Sequence, residues 1–302
     1  MTPPGAFCAT GTGASGQRAR RWLARLGLAL APLLLGVVGC EGTNRESMEL
    51  AAKHAQRLAE TAKQDVGEIR QGLPRGAEEL AKAWGDEANP LDPEAARRLL
   101  ARARDKVQDL RVAKSTFFAL AGLDGSVIRN DREQDRMAGR PLFASFPELA
   151  RAASGQYVEA LGVMVEAHGV KGKPDAEWVA AQGVRVGDAV RALYVTGWAW
   201  TSYAYRLEFS LRGQTDIELR GTKKNVPLLY VFVIVGSDVY GSPAAPEVNA
   251  HAIGELDPLQ HLAADGTFST LLDITGRKFA LGVHSAFDLA PRVAIAVLRS
   301  EL

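Results

Sequence analysis

Five histidines, all beyond residue 50, are the first residues whose type could carry acid–base or metal chemistry. His251 and Glu255 lie four apart, so a helix would present imidazole and carboxylate on one face, with His261 following. That spacing is also the ordinary product of a solvated helix surface, and no metal site is assigned. His284, Ser285 and Asp288 hold the residue types of a serine hydrolase. Near neighbours on one strand point to opposite faces, however, and cannot assemble a triad by themselves. Beyond residue 40 there is no GxSxG elbow, HExxH pair, Walker loop or paired-cysteine site. The stretch Gly11 to Gly16 matches GxGxxG letter for letter, but it lacks the preceding strand and following helix that a dinucleotide loop needs. No catalytic residue and no cofactor is assigned, and the chain is not expected to be an enzyme; a hydrolase with an unfamiliar site is the least favoured reading.

Cys40 offers chemistry of another kind. Arg18, Arg20, Arg21 and Arg25 precede an acid-free apolar run from Leu26 to Gly39. At about 14 residues the run is too short for a span of roughly 20, and it reads as the apolar region of a secretory leader. The run ends Val37-Val38-Gly39-Cys40 and resembles the bacterial lipobox, in which small side chains precede the cut and the thiol takes up diacylglycerol through a thioether. This resemblance implies a lipoprotein signal peptide over 1–39 and a membrane anchor through fatty acyl groups such as palmitate on Cys40. It also implies a place in the bacterial cell envelope, facing the periplasm or the exterior. The alternative is an ordinary signal peptide or N-terminal anchor with an incidental cysteine. Arg20-Arg21-Trp22-Leu23 also resembles a twin-arginine export signal.

Loss of residues 1–39 would remove four arginines and no acids, taking Lys+Arg from 36 to 32 against 35 Asp+Glu, a net charge of about −3. No basic stripe then remains to attract nucleic acid. Cys8 would leave with the leader, so the mature chain would hold one cysteine and no internal disulfide.

The elements that must position any site begin with helices. Apolar or small residues at 48, 51, 55, 58, 62, 66, 69 and 73 follow the three-four spacing of one helical face, much of it alanine. After a break at Gly85 to Pro90, Asp92-Pro93-Glu94 supplies an N-cap, a first-turn proline and a first-turn acid. Residues 40–114 are therefore expected to form a helical stalk or hairpin. From Ser115 the period changes. Thr116 to Leu123, Asp124-Gly125 and Ser126 to Asn130 read as a hairpin. A less regular stretch follows, then a second strand-turn-strand at Trp178 to Val195 and a connecting helix carrying Trp200, Tyr203, Leu207 and Leu211. The plan recurs over Val226 to Leu298, so two antiparallel sheets with flanking helices, an α+β fold, are expected over 115–222 and 223–302.

The segment FFALAGLDGSVIRNDREQDRMAGRPL, residues 117–142, resembles the extracytoplasmic PAS-like sensors called Cache domains. It has a strand, an Asp-Gly turn, a strand with a polar end, then a glycine-containing bend. The likeness covers roughly 92–200, with a second PAS-like module over 226–302. It implies binding of a small polar ligand such as an amino acid, carboxylate or amine, in a pocket under residues 129–160 and against the strands near 178–198. By resemblance, Arg129, Asp131 and Arg140 would supply charged groups and Trp178, Tyr194 and Trp198 apolar walls. Arginine suits bidentate capture of a carboxylate. For each residue taken singly the plainer reading is favoured, the arginines as solvated surface and the aromatics as core. Receptors of this type usually continue into a membrane helix and an output domain, whereas this chain ends at Leu302. It is therefore expected to be a lipid-anchored sensor that signals through an envelope partner. The alternative is an interaction or scaffold lipoprotein that binds an envelope protein and no small ligand.

Overall fold

The computed structural model describes residues 18–165, 174–222 and 225–300. The chain forms two compact units, residues 1–46 and 47–302. The first holds the N-terminal part of α1 (Arg18–Ala83); the Gly11 to Gly16 match and Cys8 lie outside the described residues. No helix among the described residues is long and apolar enough to cross a membrane.

Within the second unit, the small-residue face of α1 is the spine. Ala51, Ala55, Leu58, Ala62, Val66, Ile69 and Leu73 are all buried, as the three-four spacing predicts. All of these but Ala51 belong to a single apolar core that takes in side chains from both sheets. Expected as a stalk or hairpin, residues 47–83 instead pack along the sheets, because a stripe of alanine lets a helix backbone come close to a strand. α2 (Pro93–Lys106) starts where the sequence indicates: the Asp92 carboxylate accepts from the backbone N–H groups of Glu94 and Ala95. A short α3 (Gln108–Val112) follows.

The first sheet is built from β1 (Phe117–Ala121), β2 (Val127–Asn130), β3 (Tyr157–Val165), β4 (Pro174–Val186) and β5 (Ala189–Ala199), in the order β2-β1-β5-β4-β3. All pairs are antiparallel. The Asp124-Gly125 turn joins β1 to β2, with Gly125 at φ +82°, a conformation a side chain disfavours. α4 (Leu142–Ser145) and a 3-10 segment (Pro147–Ser154) lie between β2 and β3. α5 (Trp200–Leu219) leaves β5 and leads to the second sheet. That sheet contains β6 (Leu228–Val235), β7 (Asp238–Gly241), β8 (Thr267–Ile274), β9 (Arg277–Ser285) and β10 (Val293–Ser300), with α6 (Glu247–Glu255) between β7 and β8. Its order is β7-β6-β10-β9-β8, so each sheet runs second, first, fifth, fourth, third. The repeat inferred from pattern is thus a repeat of topology.

Strand alternation divides the first sheet into two buried faces. Phe118, Leu120, Trp178, Ala180, Ala192, Tyr194 and Trp198 face α1 and its neighbours. Phe117, Ala119, Val179, Ala181, Leu193 and Val195 face Met137, Leu142, Phe146, Leu149 and Ala152. Both faces of this sheet are covered.

Glycines mark where backbones touch. A Cβ on Gly282 of β9 would lie 2.2 Å from the Ala51 carbonyl carbon of α1. Gly282→Ala is therefore expected to cost about 1–3 kcal/mol by forcing helix and sheet apart. Gly213, mid-α5 with nothing within 4 Å of its Cβ position, is the contrast. Gly213→Ala is expected to stabilise by roughly 0.5–1 kcal/mol. Urea unfolding of both variants checks the opposite signs.

Candidate functional site

The pocket expected under residues 129–160 would lie on the face that the 137–152 segment covers, and that face is filled. Met137, Leu142, Phe146, Leu149 and Ala152 are all fully buried there. Gly162 and Gly183 permit the closure: a Cβ on the first would sit 2.2 Å from the Ser145 carbonyl oxygen, and on the second 2.5 Å from that of Ala152. The intended aromatic wall lies on the other face, toward the helices. Trp178, Tyr194 and Trp198 occupy even-numbered positions of β4 and β5, whereas the residues of β1, β4 and β5 beneath the 137–152 segment are odd-numbered.

The charged residues are also separated. Arg129 turns inward to a nearly buried ion pair with Asp135 at 3.3 Å. The Asp135 carboxylate also accepts from the backbone N–H groups of Asn130, Met137 and Ala138, so this pair organises the loop after β2. Arg140 donates from Nε to the Arg136 carbonyl at 2.8 Å. Asp131 is placed differently: Oδ1 accepts from the Phe118 backbone N–H at 2.9 Å and Oδ2 from Arg104 Nη1 at 3.1 Å. The Arg104 guanidinium lies 5.1 Å from the Phe118 ring centroid, and Phe118 stacks on Tyr194 at 5.9 Å. Of the expected site residues the structure thus brings Asp131 near Tyr194 and Trp178 against Trp198, and leaves Arg129 and Arg140 outside both groups.

A surface cleft of about 430 Å³ opens beside Asp131, lined by Leu100, Ala101, Arg104, Asp105, Arg111 and Asp131. Arg104 and Asp131 neutralise one another, and α2 and α3 contribute the exposed Asp105 and Arg111. Among the described residues these last two enter no ion pair, so the rim offers one anion and one cation to a small zwitterion. Burial pushes the Tyr194 hydroxyl well above the usual phenol range, with the Asp131 charge acting in the same direction. Its oxygen is buried without a hydrogen-bond partner. Arg104, Asp105 and Arg111 escaped sequence reasoning because they lie on helices outside the sheet pattern. The only sequence signal was a basic residue in the last turn of each helix.

The aromatic residues form a stack. Trp178 and Trp198 lie 4.5 Å apart, and Trp198 and Tyr203 lie 4.6 Å apart at an interplanar angle of 12°. Tyr203 donates its hydroxyl hydrogen to Asp65 Oδ2 of α1 at 2.9 Å. Burial pushes the Asp65 carboxyl up to about 6, opposed by the Tyr203 hydrogen bond and by Arg206. Eleven positions earlier on α1, burial pulls His54 down to about 4, assisted by the charges of Arg299 and Arg57. The stability consequences oppose each other. Between about pH 4 and 6 the folded state keeps the Asp65 proton that the unfolded chain has lost, so stability falls as pH rises. Over the same window the unfolded chain protonates His54 and the folded state does not, so stability rises with pH.

Among solved structures, the chain is similar to the extracellular domain of a histidine kinase, with 12% identity and a TM-score of 0.53 over 86% of this chain and 92% of that one. It is similar to a domain of a sensory box/GGDEF family protein from Vibrio parahaemolyticus, with 10% identity and a TM-score of 0.52 over 85% and 97%. A methyl-accepting chemotaxis protein matches with 12% identity and a TM-score of 0.50 over 83% and 96%. No protein-family model and no curated protein matches the chain. The long helix followed by two five-stranded antiparallel sheets is an α+β fold that the chain shares with these domains.

Replacement of Asp65 by Asn separates the two titrations. Relative to wild type, Asp65→Asn is expected to gain stability by about 2–3 kcal/mol on going from pH 4 to 6, since about two pKa units of opposing linkage are removed. Urea unfolding across that range, with His54→Gln changing the slope in the other direction, measures it.

Proposed function

We propose that this chain is a lipid-anchored extracytoplasmic sensory lipoprotein. In this reading it binds a small polar ligand and passes its state to an envelope signalling partner. The observation that carries the reading is the fold: two sheets of identical strand order on one long helix, a structure similar to the extracellular domain of a histidine kinase. Residues 1–39 act as the signal peptide and Cys40 as the lipid acceptor, 40–114 as the helical lead, and 115–222 and 223–302 as the two modules. The ligand belongs to the cleft at Asp131, where Arg111 would take a carboxylate and Asp105 an ammonium group above the Arg104–Asp131 pair. An α-amino acid, or a carboxylate or amine half of one, has that chemistry. Arg129, Arg140, Trp178 and Trp198 would then support the sheet rather than touch this ligand. A metal, a cofactor and catalysis have no part in the reading.

A second reading, a scaffold lipoprotein that binds an envelope protein without a small ligand, draws on α5. Tyr205, Phe209 and Ile217 expose 52%, 70% and 65% of their surfaces at a spacing that keeps them on one helical stripe.

Thermal unfolding of the full chain against amino acids, carboxylates, amines and purines distinguishes the two. A ligand at a hundred times its Kd stabilises by about 2.7 kcal/mol. That shift is expected for one zwitterionic or carboxylate class and is expected to vanish in Arg111→Ala and Asp105→Asn, both on exposed side chains. A cooperative transition that no class moves would favour the scaffold. Separately, a labelled fatty acid is expected to enter the wild-type chain and Cys8→Ala but not Cys40→Ala, with membrane association lost in the same variant.

A further inference from the structure

A second cleft, of about 380 Å³, lies where the edge of the first sheet meets α1 and the segment before β10. It is distinct from the cleft at Asp131 and shares no residue with it. One wall is apolar and open: Leu161 of β3 and Phe287 expose 39% and 57% of their surfaces there, beside Pro291. The opposite wall is charged. Arg70 of α1 holds Glu159 through two hydrogen bonds, Nε to Oε1 at 2.6 Å and Nη2 to Oε2 at 2.8 Å. Tyr157 donates to the same carboxylate at 2.8 Å. That pair is neutral as a unit. Glu148, exposed on the 3-10 segment, also lines the cleft and enters no ion pair among the described residues. The cleft therefore carries one uncompensated negative charge.

Trp178 supplies an independent observation. It lines the cleft, it is 1% exposed, and its indole N–H is buried without an acceptor. A buried donor left unpaired costs about 1–3 kcal/mol, so an acceptor brought to it is favoured. The three features describe one ligand: a cation for Glu148, a flat apolar body for Leu161 and Phe287, and an oxygen acceptor at the far end for the Trp178 N–H. An aromatic face beside a cationic group adds a cation–π contribution.

We propose that this junction cleft is a second ligand site, and that it takes a primary arylalkyl amine bearing an oxygen acceptor on its ring. It goes beyond the sensory reading given above for the Asp131 cleft. Binding there would place the ligand against the first member of the Trp178–Trp198–Tyr203 stack.

Tyramine is the probe, with phenethylamine and 4-hydroxyphenylpropionate as its acceptor-free and acid counterparts. Isothermal titration of the full chain is expected to show one tyramine bound per chain. Phenethylamine should bind about fivefold more weakly for want of the indole hydrogen bond, and the acid should not bind detectably. Glu148→Gln and Phe287→Ala, both exposed, are each expected to weaken tyramine roughly threefold to fivefold while leaving the unfolding transition in place. Arg111→Ala should leave tyramine binding unchanged. Absence of tyramine binding to the wild-type chain overturns the proposal, and so does equal binding of the acid. Binding abolished by Arg111→Ala but untouched by Glu148→Gln and Phe287→Ala also overturns it, while sparing the sensory reading. Failure of every ligand class at the Asp131 cleft, with tyramine still bound, would remove that reading and leave the junction site.

Discussion

Close packing of one small-residue helix face against two sheets is the constraint on which the rest of this protein depends. α1 presents Ala51, Ala55, Ala59, Ala62 and Ala77 among its larger apolar residues, and all are buried. Larger side chains there would hold the sheets away. The sheets answer with their own small residues: Gly282 of β9 meets the α1 backbone at Ala51, and Gly76 of α1 sits where a Cβ would come within 2.5 Å of the Tyr194 ring. Dispersion and burial reward such contact only when it is continuous, which explains why one apolar core contains side chains of the helix and both sheets. Polar bridges run along the same interface. Arg57 reaches Gln214 and Glu218 of α5, and Arg70 reaches Glu159 of β3.

The two modules share a topology and differ in how they are tied. α5 connects them and carries Glu208, only 2% exposed. One oxygen of this carboxylate accepts from the Val231 backbone N–H and the Ser242 hydroxyl, and the other pairs with Arg212 at 2.9 Å. A buried carboxylate is tolerable only with such partners, and here the partners come from α5, β6 and the residue after β7. The connecting helix is thereby fixed to the second sheet, while its Trp200, Tyr203 and Leu207 pack into the shared core. A change at the first sheet consequently meets a rigid body rather than a hinge at α5.

The hairpins and caps were legible because their signals are local. Asp92-Pro93 and Asp124-Gly125 each specify a backbone conformation within two residues, and each sits where its type demands. β3 was not legible, although its buried and outward residues alternate. Its inward positions are Val158, Ala160, Gly162 and Met164, and Glu159 interrupts the outward side, so the contrast between faces is weak. For the site, alternation alone could place Trp178, Tyr194 and Trp198 on a shared face. It could not say which face the helices cover. Nor could it foresee that Asp135 would claim Arg129, or that Arg104, 27 residues away, would claim Asp131, since those pairings exist only after α2 has packed on the sheet.

The stack from Trp178 to Tyr203 gives the core a directional feature that apolar packing alone lacks. Leucine or isoleucine in these positions could repack with small shifts, because aliphatic side chains have several comparable rotamers. Two indoles and a phenol held at 4.5 and 4.6 Å have little such freedom, and the phenol is pinned at its far end by Asp65. A displacement of Trp178 is therefore passed to Tyr203 rather than absorbed. It arrives at a carboxyl whose burial already pushes it toward the protonated form, on the helix that both sheets share. Any shift that weakens the Tyr203 hydrogen bond removes an interaction favouring the charged carboxylate, so position along the stack and protonation on α1 are thermodynamically linked. The polar end of the stack thus couples β4 of the first sheet to the element on which the whole unit is assembled.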